Sequence, residues 1–296
     1  MTQANESTKM EKIMGALRER ARQLREKRPG YGEIIDFYVN VREAQDTSKT
    51  SLRMDHIRLK KTMSGCLGEG KVSLIRKEDF PVDIETSISL FHALCRIAET
   101  ANPHMAEQVE KINSIFSNNE TALEKLLMES GKEEAIDRVA ADQGLDRQVL
   151  LFLIRNSIRP SIEAGMEQLS GELEPEALLK GHCPVCGCLS SLSLLKGEEG
   201  KRYSLCSFCA YQWRIDRLSC AACGSKEQGS LTYFYGEGEE AIRIDLCDTC
   251  HHYTKTIDYR KLEEIDPSLE DLATLHLDVV AVQKGYKRPV ANTWSV

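Results

Sequence analysis

At 296 residues the chain has room for roughly two domains and can bury a core without disulfide staples. With 41% hydrophobic and 29% charged residues it reads as an ordinary soluble globular protein, and no apolar run approaches the ~18 residues that a membrane span requires. Its formal charge is −7, and eight metal-bound thiolates would bring it to about −11, which speaks against a general affinity for nucleic acid.

Residues 1–28 are polar and charged and lack an apolar stretch before a small-residue cleavage site, so no secretory signal is expected and the cytoplasm is the expected compartment. Helical periodicity runs through residues 1–178, which form the expected helical domain. Met10, Ile13, Leu17, Ala21 and Leu24 make one apolar stripe, with Thr8 and Glu11 spaced as a capping box before it and Pro29-Gly30 ending it. Ile34, Ile35, Phe37, Tyr38 and Val41 predict a second helix. Residues 45–78 have little periodicity and read as a surface connection; Gly65, Gly68 and Gly70 there do not make a phosphate loop, because no Gly-Lys-Ser/Thr follows. Ile84, Ile88, Phe91, Cys95 and Ala98 predict a third helix, begun near Pro81, and Met105, Val109, Ile112 and Phe116 a fourth after Pro103. Further helices are predicted over 121–129, 133–142 and 147–156, the last broken at Pro160.

Beyond Gly181 the pattern becomes repetitive. Cys183-Pro-Val-Cys186-Gly187 precedes an apolar run (Leu192 to Leu195), a Gly/Glu turn, a second run (Tyr203 to Leu205) and Cys206-Ser-Phe-Cys209. Cys220-Ala-Ala-Cys223-Gly224 precedes Leu231 to Tyr235, a similar turn, Ile242 to Leu246 and Cys247-Asp-Thr-Cys250. Each unit reads as knuckle, β-hairpin, knuckle. The expected modules are a first four-cysteine ribbon over 179–217, a second over 218–260, and a C-terminal helix and tail over 261–296. In that tail Ser268 and Asp271 are spaced as a capping box, and Leu269, Leu272, Leu275, Val279 and Val280 share a face that stops near Gly285.

Eight of the eleven cysteines thus sit in Cys-x-x-Cys pairs, leaving Cys66, Cys95 and Cys188. In a reducing compartment such clusters are metal ligands rather than disulfides. A knuckle aims two sulfurs at one ion, and Gly187 and Gly224 permit the tight turn. Neighbouring knuckles close the shortest loops, so Cys183, Cys186, Cys206 and Cys209 are assigned to one site and Cys220, Cys223, Cys247 and Cys250 to the other. A cross-braced pairing, first knuckle with third and second with fourth, stays open. Four sulfurs suit zinc or a single iron, so the expected cofactors are two metal ions, iron or zinc. With the shell filled, no position is left for a hydrolytic water.

Other candidates are weaker in pattern. His182, His251 and His252 flank knuckles that already have four sulfurs. Cys188 is a small buried residue beside the first site or a reactive thiol, and Cys95 lies on an apolar helix face. Trp213, Arg214 and Arg217, with Tyr211, lie between the units, where an Arg over an aromatic either binds an extended peptide or locks the modules together.

The knuckles with their flanks resemble the FdhE-type formate dehydrogenase accessory proteins, also called formate dehydrogenase formation proteins. The likeness rests on residues 183–187, on Cys206-Ser-Phe-Cys209 leading to Trp213 and Arg217, on residues 220–224, and on Cys247-Asp-Thr-Cys250 continuing to Tyr253 and Lys255. Asp271-Leu-Ala-Thr-Leu275, Leu277-Asp278 and Gly285-Tyr286 also look like the family's end. The resemblance implies an α+β protein, a multi-helix domain followed by two rubredoxin-like or zinc-ribbon modules. It also implies a cytoplasmic maturation factor, not itself a formate oxidase, whose partner is the immature catalytic subunit of formate dehydrogenase. On that reading the ribbons hold the client, with Trp213, Arg217 and Tyr235 as candidate contacts. The alternatives are redox or sulfur/selenium chemistry on the client's active-site cysteine or selenocysteine through an iron–thiolate site, and a nucleic-acid-binding zinc ribbon, which the acidic balance disfavours. Spacing does not settle the oligomeric state.

Overall fold

A computed structural model of the chain describes residues 2–57, 73–117, 119–169, 181–292 and 294, with residues 2–10 described by their backbone alone. These fall into two compact units that are not contiguous in sequence: a helical one over 2–57, 78–168 and Trp294, and a sheet-centred one over 73–77, 169 and 181–292. Gly65, Gly68, Gly70 and Cys66 lie outside the described residues.

The helical unit contains α1 (Thr2–Lys27), α2 (Gly32–Lys49), α3 (Ile84–Ala98), α4 (Pro103–Phe116), α5 (Glu120–Met128), α6 (Glu133–Gln143) and α7 (Arg147–Leu169). In α1 the buried side chains are Met14, Leu17, Ala21 and Leu24, whereas Ile13, expected on the same stripe, is exposed. Because α1 runs from Thr2, Thr8 is not its start as the capping-box spacing suggests; the Thr8 side chain lies outside the described residues. The Asp83 and Asn102 side chains cap α3 and α4, accepting from the backbone N–H of Thr86 and Met105. Gly144, at φ 62°, closes α6 in the left-handed conformation that glycine adopts freely.

The break expected at Pro160 does not occur, and α7 continues to Leu169. A proline inside a helix leaves the carbonyl four residues earlier without its N–H donor. Here that carbonyl belongs to Asn156, and the buried Gln45 side chain of α2 donates to it at 2.9 Å. The lost helical bond is replaced by a tertiary one. Trp294 completes this core from the far end of the sequence, its ring centroid 4.6 Å from Tyr38 and 5.2 Å from Phe152.

In the other unit β1 (Ser190–Lys196), β2 (Lys201–Cys206), β3 (Gln212–Arg214), β4 (Leu231–Tyr235), β5 (Ile242–Cys247) and β6 (His252–Asp258) form one sheet in the order β3-β2-β1-β6-β5-β4. The two expected hairpins are β1–β2 and β4–β5. Each gains a third strand after its second knuckle, and the ribbons join where β1 and β6 run parallel, from Leu192 opposite Lys255 to Leu195 opposite Asp258. The two ribbons therefore share one sheet. One cluster, Leu192, Leu194, Leu205 and Ile257, spans both of them.

The C-terminal segment forms two helices, α8 (Pro267–Leu272) and α9 (Leu275–Gln283). Asp266 is the cap of α8, accepting from the N–H of Ser268 and Leu269, so Ser268 and Asp271 do not form the expected capping box. Leu277 and Ala281 of α9 pack on Ile242, Ile244, Leu246 and Tyr253. Asp271 is used elsewhere. Lys255 of β6, fully buried, reaches Asp271 at 2.7 Å and Asp278 at 2.6 Å, and Arg288 bonds both oxygens of Asp271 at 2.8 Å. Tyr253 donates to Asp278 at 2.9 Å.

Candidate metal centres

Cys183 and Cys186 occupy the turn before β1, and Cys206 and Cys209 the end of β2 and the turn after it, so both knuckles lie at the open end of the first hairpin, where Ser190 pairs with Cys206. Cys220 with Cys223, and Cys247 with Cys250, are placed in the same way about β4 and β5. The first cysteines of three knuckles are fixed by a repeated turn bond: Cys183 N–H to Cys188 O, Cys206 N–H to Tyr211 O and Cys220 N–H to Ser225 O, at 2.8 to 2.9 Å. The residue after every knuckle has a positive φ: Gly187 at 76°, Gly224 at 73°, Ala210 at 56° and His251 at 52°. Backbone N–H groups of Phe208 and Cys209 point at the Cys206 sulfur, and that of Cys223 at the Cys220 sulfur, at 3.4 to 3.5 Å.

Ala210 and His251 are the two knuckles at which an L side chain occupies the left-handed region, a strain of roughly 1–2 kcal/mol. Ala210 is exposed and its methyl packs little. Ala210→Gly should therefore stabilise the metal-loaded protein by about 0.5–1 kcal/mol, after allowing for the extra freedom of glycine in the unfolded chain. Urea unfolding of the two proteins measures this.

The sulfurs of Cys183, Cys186, Cys206 and Cys209 lie within 4.8 Å of one another, as do those of Cys220, Cys223, Cys247 and Cys250. The cross-braced sets are not assembled. Closest pairs are Cys183–Cys209 at 3.6 Å, Cys186–Cys206 at 3.3 Å, Cys220–Cys250 at 3.8 Å and Cys223–Cys247 at 3.8 Å. Four thiolates about 2.3 Å from one ion would stand about 3.8 Å apart along each tetrahedral edge, so the donor sets fit a tetrahedral ion.

The protonation of the metal-free thiols points the same way. Hydrogen bonding from Cys183 draws Cys186 down to about 5, whereas burial pushes Cys206 up and contact with Cys183 and Cys186 pushes Cys209 up. One sulfur carries charge, and its crowded neighbours must then keep their protons. A divalent cation in the centre removes that conflict by displacing the protons. The first set is buried throughout, while in the second Cys223 is exposed and Cys250 half-buried. Each set would hold one ion: zinc would supply rigidity, and iron would add a one-electron couple.

The remaining candidates separate clearly. His182, His251 and His252 belong to neither thiol set. Cys95 is buried in the helical core, where burial pushes its thiol up to about 12. Cys188 is half-buried, with its thiol in hydrogen-bond reach of Cys186 and Cys206. Trp213, expected as an exposed contact, is 1% exposed on β3, so its ring is not available to a partner. Arg217 is exposed and donates to Glu199 O at 3.0 Å, and Tyr235 is 49% exposed on β4.

The lock between the ribbons is Arg202, a residue that periodicity does not single out. Buried on β2, it donates to Ser219 O at 2.9 Å in the inter-ribbon segment and to Asp245 of β5 at 2.7 Å. Thr256 of β6 donates to the same Asp245 oxygen at 2.5 Å.

Two family models match this part of the chain: FdhE, central domain, over residues 182–217, and FdhE, C-terminal domain, over residues 218–294. A curated relative from Aquifex aeolicus (strain VF5), Protein FdhE homolog, is 29% identical over 91% of this chain and 90% of its own length. Residues 182–294 thus match the FdhE central and C-terminal domains. A Protein FdhE homolog from Shewanella sp. (strain MR-4) is 35% identical over 112 residues, 37% of each chain. The fold is also that of the crystal structure of the FdhE protein from Pseudomonas aeruginosa, with a TM-score of 0.67 and 20% identity over 95% of both chains. Among the described residues no helix is long and apolar enough to cross a membrane.

Proposed function

We propose that the chain is an accessory factor that binds the immature catalytic subunit of formate dehydrogenase in the cytoplasm and promotes its assembly or activation. The observation that carries this reading is the pair of complete four-sulfur sets within residues that match the FdhE central and C-terminal domains. Each set fills a tetrahedral shell from the protein alone, which suits a rigid binding platform better than substrate turnover. The test is formate dehydrogenase activity in cells lacking this protein, complemented by wild type or variants, beside a pull-down of the catalytic subunit. Activity should fall without the protein and return with it. Normal activity in its absence, under conditions where the enzyme is made, rules the reading out.

A second reading rests on Cys188, whose thiol stands beside Cys186 and Cys206 without belonging to the four-sulfur set. Sulfur or selenium chemistry on the client would place an accessible thiol there. Under that reading Cys188→Ser abolishes activation while capture persists; under the first, both survive the change.

A further inference from the structure

We propose that the outer edge of β4 is the client-docking surface, and that it takes an extended client segment as an added strand, with a lysine or arginine of that segment beside the β4–β5 turn. This rests on the accessory reading above and names the surface and the chemistry of its occupant.

Among the described residues β4 is the last strand of the sheet and pairs on one side only, with β5. The bond from Asp248 N–H to Ser230 O at 2.9 Å fixes the phase of that ladder. With Leu231 opposite Cys247, it makes Thr232 and Phe234 the residues bonded to β5, and turns the backbone N–H and C=O of Tyr233 and Tyr235 away from it. Sheet edges are ordinarily protected by a charge, a proline, a bulge or a covering element. Leu-Thr-Tyr-Phe-Tyr has no charged residue and no proline, and its pairing with β5 is regular. Tyr233 and Tyr235 are 59% and 49% exposed.

The aromatic pair is also held in place. The two rings stack with centroids 6.3 Å apart, and the Arg243 guanidinium sits 4.8 Å from the Tyr233 centroid while ion-paired with Asp245 at 2.9 Å. Phe234, on the opposite face, packs into the core with Ile242, Ile244 and Leu246. Rigid aromatics beside an open backbone ladder are what strand addition uses: main-chain bonds for affinity, and side-chain contacts at alternate positions for selection.

The size of the edge selects an extended segment over a second copy of this chain. A five-residue strand offers an edge about 17 Å long, which at the ~10 Å thickness of a sheet layer presents on the order of 170 Å², well short of the ~800 Å² per partner that a stable interface buries. Charge selects the basic residue. The turn following Tyr235 reads Gly236-Glu-Gly-Glu-Glu240 without a lysine or arginine. Within it Glu239 is engaged by His276 at 2.7 Å and the Glu240 carbonyl accepts from Lys261 at 3.1 Å, while Glu237 has no ion pair among the described residues.

The experiment measures binding of the full-length, metal-loaded protein to two probes: the purified catalytic subunit, and immobilised overlapping peptides spanning it. Tyr233→Pro deletes an outward N–H and leaves the β4–β5 ladder its donors. Tyr235→Ser shortens the aromatic platform, and Glu237→Lys reverses the turn charge, so the result does not hang on one variant folding. Each should weaken capture about tenfold or more with two ions per chain retained. The peptides bound by wild type should carry a basic residue next to alternating apolar ones. Unchanged capture by folded Tyr233→Pro and Tyr235→Ser overturns the edge assignment and leaves the accessory reading standing. If wild type captures no catalytic subunit, the accessory reading fails, and peptide binding then judges the edge alone: no bound peptide, or binding indifferent to the three variants, overturns it. A wild-type dimer that dissociates on Tyr233→Pro makes a second copy the occupant and overturns the proposal as well.

Discussion

Purified without chelator, the protein should carry two ions per chain, and Cys183→Ser or Cys209→Ser should empty the first site while Cys220→Ser or Cys250→Ser empties the second. The expectation follows from two separate sulfur sets, each gathered within 4.8 Å. A structural four-thiolate site contributes on the order of 10 kcal/mol to the folding of a small module, so these should be among the largest single-residue effects in the chain. The shared sheet adds a condition. Because β1 and β6 pair across the ribbons and Arg202 bridges them to Asp245, an emptied first site should lower the stability of the second ribbon without removing its ion. Chelator should strip the second site first, since Cys223 is exposed and Cys250 half-buried whereas the first set is buried throughout. Metal analysis of each variant, with proteolysis during chelation, checks all of this. A ratio of one ion per chain, loss of both ions from one substitution in a folded protein, or cleavage of the helical unit before residues 181–292 would contradict it.

Such sites are legible in sequence because a Cys-x-x-Cys turn is local, and spacing alone brings its two sulfurs together. The hairpins β1–β2 and β4–β5 are legible for the same reason, lying between knuckles with turns rich in glycine. What escapes is long-range. β6 reads poorly as a strand because Lys255 stands at a core position where an apolar residue is expected, and only Asp271 and Asp278, far along the chain, make that burial tolerable. Pro160 reads as a helix break because the donor that replaces the missing bond comes from Gln45. Trp213 reads as a surface aromatic because neither β3 nor its burial has a local signature. In each case the deciding partner is distant in sequence. The left-handed turns at Ala210 and His251 differ in kind, since equivalence with Gly187 and Gly224 in the repeat is itself a local signal.

The other large effect concerns the buried charge cluster behind β6. Lys255 is fully buried and donates to Asp278 and to the carbonyls of Asp271 and Thr274 at 2.6 to 3.2 Å, with its ammonium 2.7 Å from the Asp271 carboxylate. Lys255→Met keeps most of the stem and removes the charge. It takes one donor from Asp278 and from each of two carbonyls, and one of two cations from Asp271, in a dry site, a loss on the order of 3–5 kcal/mol. Arg288 still faces Asp271, so Asp278 should carry most of the penalty, and adding Asp278→Asn to Lys255→Met should recover part of it in a double-mutant cycle. The pH dependence has a definite sign. Burial raises the Asp271 carboxyl, but Arg288 and then Lys255 outweigh it and hold the group below its ordinary value near ~3.9. In the wild type this stabilisation is complete above the ordinary value and is lost as pH falls through the lower folded one. In Lys255→Met Asp271 loses one of its two cations and takes up a proton more readily, so the penalty should shrink as pH falls from neutral towards acid. Urea unfolding at several pH values, at equal metal loading, measures both the size and the slope. A difference below about 1 kcal/mol at neutral pH, the ordinary size of a surface ion pair, would mean that the cluster is solvated and does not hold α8 and α9 to the sheet.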